Sequence, residues 1–272
     1  MKRFFAALLA LSLCISLAAC GGSPASSAAA PASSDDAGKT VFIQGFDLDY
    51  PPYSYLQNDG TVGGFDVEAC QAVCDYLGWE YMARPFNWDV KDAELNSGSC
   101  DCIWSGFTVE GREDDYVWSI PYSNNTQLIL VKEDSGINNL GDLAGKVVGV
   151  QTATSAFDLL QDEEGQKALC DTFASLEVFE TYTIAFNDLK AGGIDAIAID
   201  ATAGGFLISG ETGYKFLDEE LGVETYAVGF RKGDEALRDQ VNEALQALSA
   251  NGTLQKIAEK EEYAEIREFL VL

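Results

Sequence analysis

Histidine is absent from all 272 residues of the chain. Without imidazole, the chain cannot build a Ser-His-Asp or Cys-His catalytic arrangement, or a metal site that depends on histidine ligands. Any acid–base chemistry would have to come from other side chains, chiefly Asp and Glu. The composition therefore removes the commonest hydrolase and metal-site architectures.

Basic residues are scarce. The chain has 17 Lys and Arg residues against 44 Asp and Glu residues, which gives a formal net charge of −27 at pH 7. Such acidity argues against a nucleic-acid partner and against direct adhesion to anionic lipid. It also favours solubility, and a generic acidic surface that implies no partner is the simpler explanation of the charge.

Only one long apolar run is present, over residues 4–19, and it follows Lys2 and Arg3. It is shorter than the roughly 20 apolar residues that a membrane-spanning helix needs. The run predicts a secretory signal peptide over residues 1–19. Its end, Leu17-Ala18-Ala19-Cys20, resembles the bacterial lipobox, which implies that Cys20 is the lipidated first residue of the mature protein. The alternative is an ordinary signal peptide with a chance cysteine.

Residues 20–38 contain little that could form a core. After Cys20 they are almost only Gly, Ser, Ala and Pro, with Asp35 and Asp36 near the end. Such a segment buries too little apolar surface to offset the entropy lost on ordering, so we predict a flexible tether. The remaining residues, 39–272, are long enough for one large or two small domains.

Five cysteines follow Cys20, and the odd number means that at least one cannot pair within the chain. Cys70 and Cys74 lie one helical turn apart, and Cys100 and Cys102 lie on one face of a predicted strand. A four-thiolate metal site is conceivable, but these spacings are not the usual zinc spacings. Buried, small apolar side chains are the better interpretation, Cys170 included. The sequence does not specify a disulfide.

Short apolar strands alternate with helices throughout residues 39–272. This alternation predicts an α/β fold with parallel sheets covered on both faces, in which ligands bind at the carboxyl ends of the strands. The predicted strands are 40–46, 79–85, 101–105, 126–132, 146–151, 177–179, 196–199 and 225–231. The predicted helices are 65–77, 90–96, 140–145, 155–160, 183–191, 235–250 and 254–261.

Five motifs occur in an order that resembles one known family. They are Gly64-Phe65-Asp66-Val67-Glu68, the loop 105–112 (SGFTVEGR), the segment 140–150 (LGDLAGKVVGV), the segment 191–196 (AGGIDA) followed by Asp200, and Asn251-Gly252-Thr253. Together they resemble the polar amino acid–binding receptors of ABC importers, solute-binding protein family 3, in its lipoprotein form. The resemblance covers about residues 40–262.

This resemblance implies a two-lobed, periplasmic-binding-protein-like fold. Each lobe would be a mostly parallel sheet flanked by helices, with two crossing strands near Asn124-Asn125 and near Tyr226. Lobe one would comprise residues 39–123 and 227–272, and lobe two residues 124–226. The lobes would close around the ligand by a hinge motion.

The resemblance also implies where the receptor works and with what. It would be a monomer that needs no cofactor or metal and does not bind nucleic acid. Its lipid anchor would hold it to the cell membrane on the extracytoplasmic face. There it would deliver a free amino acid to the permease subunits of an ABC importer.

A free amino acid carries a carboxylate and an ammonium group, and each must be paired if it is buried. Matched by motif, Arg112 would bind the carboxylate, helped by Thr108 and the backbone around Ser155. The Gly106 carbonyl and Asp200 would bind the ammonium group. Two alternatives stay open: Arg112 as a solvated loop cation, and Asp200 as a helix N-cap. The Thr108–Arg112 spacing is one residue shorter than is usual in the family.

The remaining site residues follow from the same resemblance. Tyr50 and Trp88 would sandwich the ligand, with Asp47 near its side chain, and the alternative is that both aromatics belong to the core. The segment 151–155, with Gln151, Thr154 and Ser155, would form the anchor loop of lobe two before a helix. This pocket has no second cation, so it predicts a neutral polar or cationic ligand, cystine included, rather than an acidic one.

Three other classes of function remain to be separated from amino acid capture. Some proteins with this fold are enzymes, such as cyclic amino acid dehydratases or enzymes that cleave cell-wall glycans, but no carboxylate is marked for catalysis. A ligand-sensing module would usually be fused to a membrane helix and a signalling domain, and none is expected here. A peptide or sugar receptor would not need Arg112 together with Asp200.

Overall fold

The computed structural model describes residues 40–272. The predicted signal peptide, Cys20 and the tether lie outside the described residues. Within 40–272, no helix is both long enough and apolar enough to cross a membrane.

Fourteen strands and eight α-helices make up the described chain. The strands are β1 Val41–Asp47, β2 Asp49–Tyr50, β3 Ser54–Leu56, β4 Val62–Gly63, β5 Glu80–Phe86, β6 Cys102–Ile103, β7 Val117–Trp118, β8 Ser123–Lys132, β9 Val147–Gln151, β10 Ser175–Phe179, β11 Ala196–Asp200, β12 Tyr214–Phe216, β13 Gly222–Tyr226 and β14 Gly229–Phe230. The helices are α1 Phe65–Leu77, α2 Lys91–Asn96, α3 Ser155–Gln161, α4 Lys167–Cys170, α5 Tyr182–Ala191, α6 Ala201–Ile208, α7 Glu235–Ala250 and α8 Thr253–Ala258. Short 3-10 helices span Trp88–Val90, Leu140–Leu143 and Glu261–Ile266.

Two large sheets form the two lobes. The sheet of lobe one has the order β5-β1-β6-β14-β7, and the sheet of lobe two has the order β10-β9-β11-β8-β12, with β13 also paired to β8. A small sheet, β2-β3-β4, follows β1. The predicted two-lobed α/β fold is confirmed, with helices flanking both sheets.

The sheets are mixed, whereas the sequence predicted mostly parallel ones. In lobe one, β1 is parallel to β5 and β6, but β14 is antiparallel to β6 and β7. In lobe two, β9 is parallel to β10 and β11, but β8 is antiparallel to β11, β12 and β13. In each sheet the reversed strand is the one that enters from the other lobe, which is β14 in lobe one and β8 in lobe two.

The predicted strand 225–231 is wrong as a single element. It divides into the end of β13 and the whole of β14, because Tyr226 pairs with Ser123 of β8 in one sheet, whereas Gly229 pairs with Ile103 of β6 in the other. The strand stops because the chain changes sheets between these two pairings. The predicted strand 101–105 is likewise shortened to Cys102–Ile103.

Helix α1 shows how local sequence positions the core of lobe one. It begins at Phe65 and ends before Gly78, whose left-handed backbone (φ 72°) donates its N–H to carbonyls of the last turn. Its buried face carries Cys70 and Cys74 among apolar neighbours. Among the described cysteines, all five are free thiols, and four are buried. No group of His, Cys, Asp or Glu residues suited to a metal ion occurs within residues 40–272.

Candidate functional site

A small cavity of about 20 Å³ lies where both lobes meet. This volume holds about one water molecule and is far below the range of small-molecule sites, so an amino acid can enter only when the lobes move apart. All ten ligand-binding residues that the sequence predicted line it, together with Ser105. The lining residues are Asp47, Tyr50, Trp88, Ser105, Gly106, Thr108, Arg112, Gln151, Thr154, Ser155 and Asp200.

Lobe one contributes its residues from strand ends and the loops that follow them. Asp47 is the last residue of β1, and Gly106 and Thr108 follow β6, which is parallel to β1. Because the carboxyl ends of parallel strands meet at one edge of a sheet, these side chains face the same cavity. Tyr50 lies in β2, and Trp88 begins the 3-10 helix after β5.

Gly106 allows the backbone to approach Tyr50 closely. Its φ is +54°, and a Cβ atom built there would lie 2.5 Å from the Tyr50 ring. A side chain would therefore be strained by both conformation and space. The Gly106 N–H donates to Asp66 Oδ2 at 2.7 Å, which fixes this turn against α1.

Lobe two contributes Gln151 from the end of β9 and Asp200 from the end of β11. Thr154 is the N-cap of α3: its hydroxyl accepts a hydrogen bond from the Phe157 N–H and donates to the Gln151 carbonyl at 2.8 Å. These bonds turn the chain sharply between β9 and α3, so that Ser155 also faces the cavity.

Direct hydrogen bonds join the two lobes around the cavity. Gln151 Nε2 donates to Asp47 Oδ2 at 2.7 Å, and Trp88 Nε1 donates to the Ala153 carbonyl at 3.0 Å. Ala153 has a left-handed φ of 56°, uncommon for a residue other than glycine. Lys91 Nζ and Arg112 Nη2, each at 3.4 Å, also donate to its carbonyl. This carbonyl therefore accepts from three donors of lobe one.

Arg112 lines the cavity and is also paired across the lobes. Its Nη2 donates to Asp158 Oδ2 of α3 at 2.7 Å, and its guanidinium carbon lies 5.4 Å from the centre of the Phe107 ring. The Arg112 side chain is 11% exposed, whereas the Asp158 side chain is 58% exposed. Arg112 is therefore mostly buried against the cavity and is not a freely solvated loop cation.

Asp200 occupies the N-cap position of α6, but its side chain makes no capping hydrogen bond. Its Oδ1 accepts instead from Asn125 Nδ2 at 2.9 Å, from Gln127 Nε2 at 2.6 Å and from the Tyr226 hydroxyl. Every described hydrogen bond to this carboxylate reaches Oδ1. Oδ2 is thus the oxygen left for a group in the cavity.

Four buried polar residues behind the cavity were not predicted: Asn125, Gln127, Glu224 and Tyr226. Glu224 of β13 lies opposite Asn125 of β8 in the strand register. The sequence did carry an indication of this cluster. Asn125 and Gln127 are two residues apart in one strand, and Glu224 and Tyr226 are two residues apart in another, so each pair lies on one face of its strand. What the sequence could not supply was the pairing of β8 with β13.

Burial changes the acidity of two carboxyl groups at the site. It raises the pKa of Asp47 to about 6, against the opposing effect of hydrogen bonds from Asp49 and Gln151. Burial, followed by the nearby charge of Asp200, raises the pKa of Glu224 to about 7. Both groups therefore titrate close to neutral pH, and a cation placed beside either one would favour its ionised form.

The sequence model of the bacterial extracellular solute-binding proteins, family 3, matches residues 42–261 of the chain. The arginine-binding extracellular protein ArtP of Bacillus subtilis (strain 168) is 31% identical over 264 residues, which cover 96% of this chain and 98% of that protein. The L-cystine-binding protein TcyJ of Escherichia coli (strain K12) is 32% identical over 230 residues, which cover 81% of this chain and 82% of that protein.

A solved structure supports the same relationship. It is an ABC uptake transporter substrate-binding protein from Streptococcus pneumoniae with bound histidine, 31% identical in sequence, with a TM-score of 0.77. The match covers 80% of this chain and 91% of that chain.

Proposed function

The chain belongs to the bacterial extracellular solute-binding proteins of family 3 and is an amino-acid-binding receptor of ABC uptake transporters; from this premise we propose that it binds a neutral polar or cationic amino acid between its lobes. Its relatives are named as binding proteins, and the chain is a binding protein rather than an enzyme.

One observation carries the proposal: a single cavity is lined by both a guanidinium group, Arg112, and a carboxylate, Asp200. A zwitterion needs both partners if its two charges are to be buried. Arg112 takes the α-carboxylate with Ser155 and Thr154 nearby, and Asp200 takes the α-ammonium group with the Gly106 carbonyl. Lobe closure then removes the ligand from water.

The residues at the other end of the cavity indicate which ligand side chain the receptor accepts. Asp47 supplies a carboxylate there, and Gln151 supplies an amide whose Oε1 is buried without a hydrogen-bond partner. Two acceptors suit a ligand side chain that donates hydrogen bonds, and Tyr50 and Trp88 offer aromatic faces to it. Arg112 is the one cation among the described lining residues, so a second ligand carboxylate would be left unpaired.

Relatives named for arginine and cystine binding, and one with bound histidine, agree with a cationic or neutral polar ligand. The test is competition among glutamate, glutamine, arginine, histidine and cystine on one preparation stripped of co-purified ligand. We expect acidic amino acids to bind at least about a hundredfold more weakly than the best ligand, as an unpaired buried charge requires. Tightest binding by glutamate would contradict the proposed specificity.

The N-terminal segment supports a lipid-anchored receptor on the extracytoplasmic face of the cell membrane. In this proposal, Cys20 carries the lipid, residues 20–38 form the tether, and lobes 39–123 with 227–272 and 124–226 deliver the ligand to permease subunits as a monomer. A Cys20→Ala protein should leave the membrane fraction or stay unprocessed. Normal membrane retention of that protein would refute the anchor.

A further inference from the structure

Glu224 is a buried carboxylate that lies one layer behind the cavity. The Thr108 hydroxyl, which lines the cavity, donates to Glu224 Oε2 at 3.0 Å. Asn125 Nδ2 and Gln127 Nε2 donate to Glu224 Oε1 at 2.6 and 2.8 Å. A buried carboxylate with three donors is built into the structure, and nothing in the ligand site described above uses it.

The same two amides also hold Asp200. Asn125 Nδ2 reaches Asp200 Oδ1 at 2.9 Å, and Gln127 Nε2 reaches it at 2.6 Å. Each amide therefore spans the gap between the two carboxylates. A change in the charge or position of Glu224 must alter the donors that orient Asp200.

The proton of Thr108 decides what this residue can offer to a ligand. A hydroxyl has one proton and two lone pairs. While Glu224 is ionised, the proton of Thr108 points to Glu224, and the hydroxyl oxygen presents a lone pair to the cavity. Thr108 then suits an ammonium donor, rather than the carboxylate that the family resemblance assigned to it.

We propose that Glu224 is a positioning residue for the ligand's ammonium group, acting through Thr108 and Asp200, and that ligand capture drives a proton from Glu224 into solution. This inference rests on the proposed function, because it assigns the ammonium end of the ligand to the side of the cavity that Thr108 and Asp200 line. Glu224 itself does not line the cavity.

The charges around Glu224 favour the loss of its proton when the ammonium group of the ligand binds. The titratable groups that face it are Asp200 from β11, Tyr226 from its own strand and Tyr182 from α5. In residues 40–272, neither Glu224 nor Asp200 is in an ion pair with Lys or Arg. Burial raises the pKa of Glu224 to about 7, so part of the free receptor carries the proton at neutral pH. An arriving ammonium group supplies the missing positive charge and favours the ionised form.

The direction of the pH effect follows from linkage. Below pH 7 the ligand must displace a proton, so affinity should rise with pH. If Glu224 has a pKa of about 7 in the free receptor and is ionised in the complex, the gain between pH 6 and pH 8 is at most about tenfold.

Titration calorimetry on the full chain tests this, with arginine and glutamine as the probes, in buffers of different ionisation enthalpy. At pH 7 the wild-type receptor should release a larger fraction of a proton, up to about one, than Glu224→Gln does with the same ligand. Any proton from Asp47 is common to both proteins and cancels. Glu224→Gln should also bind at least about tenfold more weakly and lose the rise in affinity from pH 6 to pH 8.

Glu110→Gln is the matched control. Glu110 is exposed and accepts from the N–H and hydroxyl of Thr225, the outward-facing neighbour of Glu224. This variant should keep the wild-type affinity and proton release. If Glu224→Gln does not fold, the wild-type pH profile with glutamine remains decisive, because the neutral glutamine side chain brings no cation to Asp47.

Proton-neutral, pH-independent binding by the wild-type receptor would overturn the inference while leaving the proposed function intact. Equal proton release and equal affinity in the wild-type receptor and Glu224→Gln would also overturn the inference and leave the proposed function intact. Failure of the wild-type receptor to bind any amino acid would instead overturn the proposed function, and this inference with it.

Discussion

Asp47 and Gln151 touch across the cleft: Gln151 Nε2 donates to Asp47 Oδ2 at 2.7 Å and so joins the end of β1 to the end of β9. The Asp47 side chain therefore has two uses, as a contact between lobes and as an acceptor in the cavity. Substitutions can separate these two uses, because loss of the interlobe contact should weaken every ligand equally, whereas loss of the acceptor should weaken a cationic ligand most.

Asp47→Asn should weaken arginine binding at least about tenfold, because a cationic side chain loses its carboxylate partner while a hydrogen-bonding contact remains. Glutamine, which has no charge to pair, should lose no more than about threefold. Calorimetry with both ligands on both proteins measures the two ratios. Equal losses for arginine and glutamine would mean that Asp47 serves lobe closure alone.

Asp49→Asn provides the control for closure. Asp49 Oδ1 accepts from the Thr183 hydroxyl at 2.7 Å, which is another contact between the lobes, but Asp49 does not line the cavity. Asp49→Asn should lower the affinity for arginine and the affinity for glutamine by the same factor.

Arg112→Ala should lower amino acid affinity at least about tenfold, since a charge-assisted contact to the ligand carboxylate is worth roughly 1.5–3 kcal/mol. Asp158→Asn distinguishes ligand binding from interlobe pairing. Because the Asp158 side chain is more than half exposed, its ion pair with Arg112 should contribute little, and affinity should change less than about threefold. Comparable losses in both variants, measured by calorimetry, would make Arg112 a bridge between lobes and not a ligand contact.

Long elements with a clear period were predictable from sequence. The helices 65–77 and 235–250 match α1 and α7 residue for residue, because each has an amphipathic repeat and a recognisable stop, Gly78 or Asn251-Gly252. Strands of two residues, such as β2, β4 and β7, are too short to show a period. The split of 225–231 was hidden because both pieces read as one apolar strand, and only the change of partner sheet divides them.

The site divides in the same way. Residues that carry a motif, such as Arg112 and Asp200, could be placed by resemblance, and the structure brings them into one cavity. Glu224 carries no motif, and its contact with Thr108 joins residues 116 positions apart in the chain. Such a partner is defined by the register of β8, β11 and β13, which local sequence does not encode.

Asp66 should make the ligand-free receptor less stable as the pH rises. Its carboxyl group is buried, it accepts from the Gly106 N–H and the Tyr122 hydroxyl on Oδ2, and Oδ1 has no partner. Burial raises its pKa to about 7, whereas an unfolded Asp ionises near about 4. Between these values the native state holds a proton that the unfolded state has lost. The free energy of unfolding should therefore fall as pH rises from about 4 to about 7, and this group adds no further change above that.

The measurement is urea unfolding of the ligand-free receptor at pH 5, 6, 7 and 8, compared with Asp66→Asn. One proton of difference gives at most about 1.4 kcal/mol per pH unit, so Asp66→Asn should show a visibly shallower slope below pH 7. Some slope should remain, because the raised pKa values of Asp47 and Glu224 act in the same direction. Asp75→Asn, at an exposed position of the same helix, should keep the wild-type slope. A slope that Asp66→Asn leaves unchanged would show that this carboxyl group is ionised in the native protein.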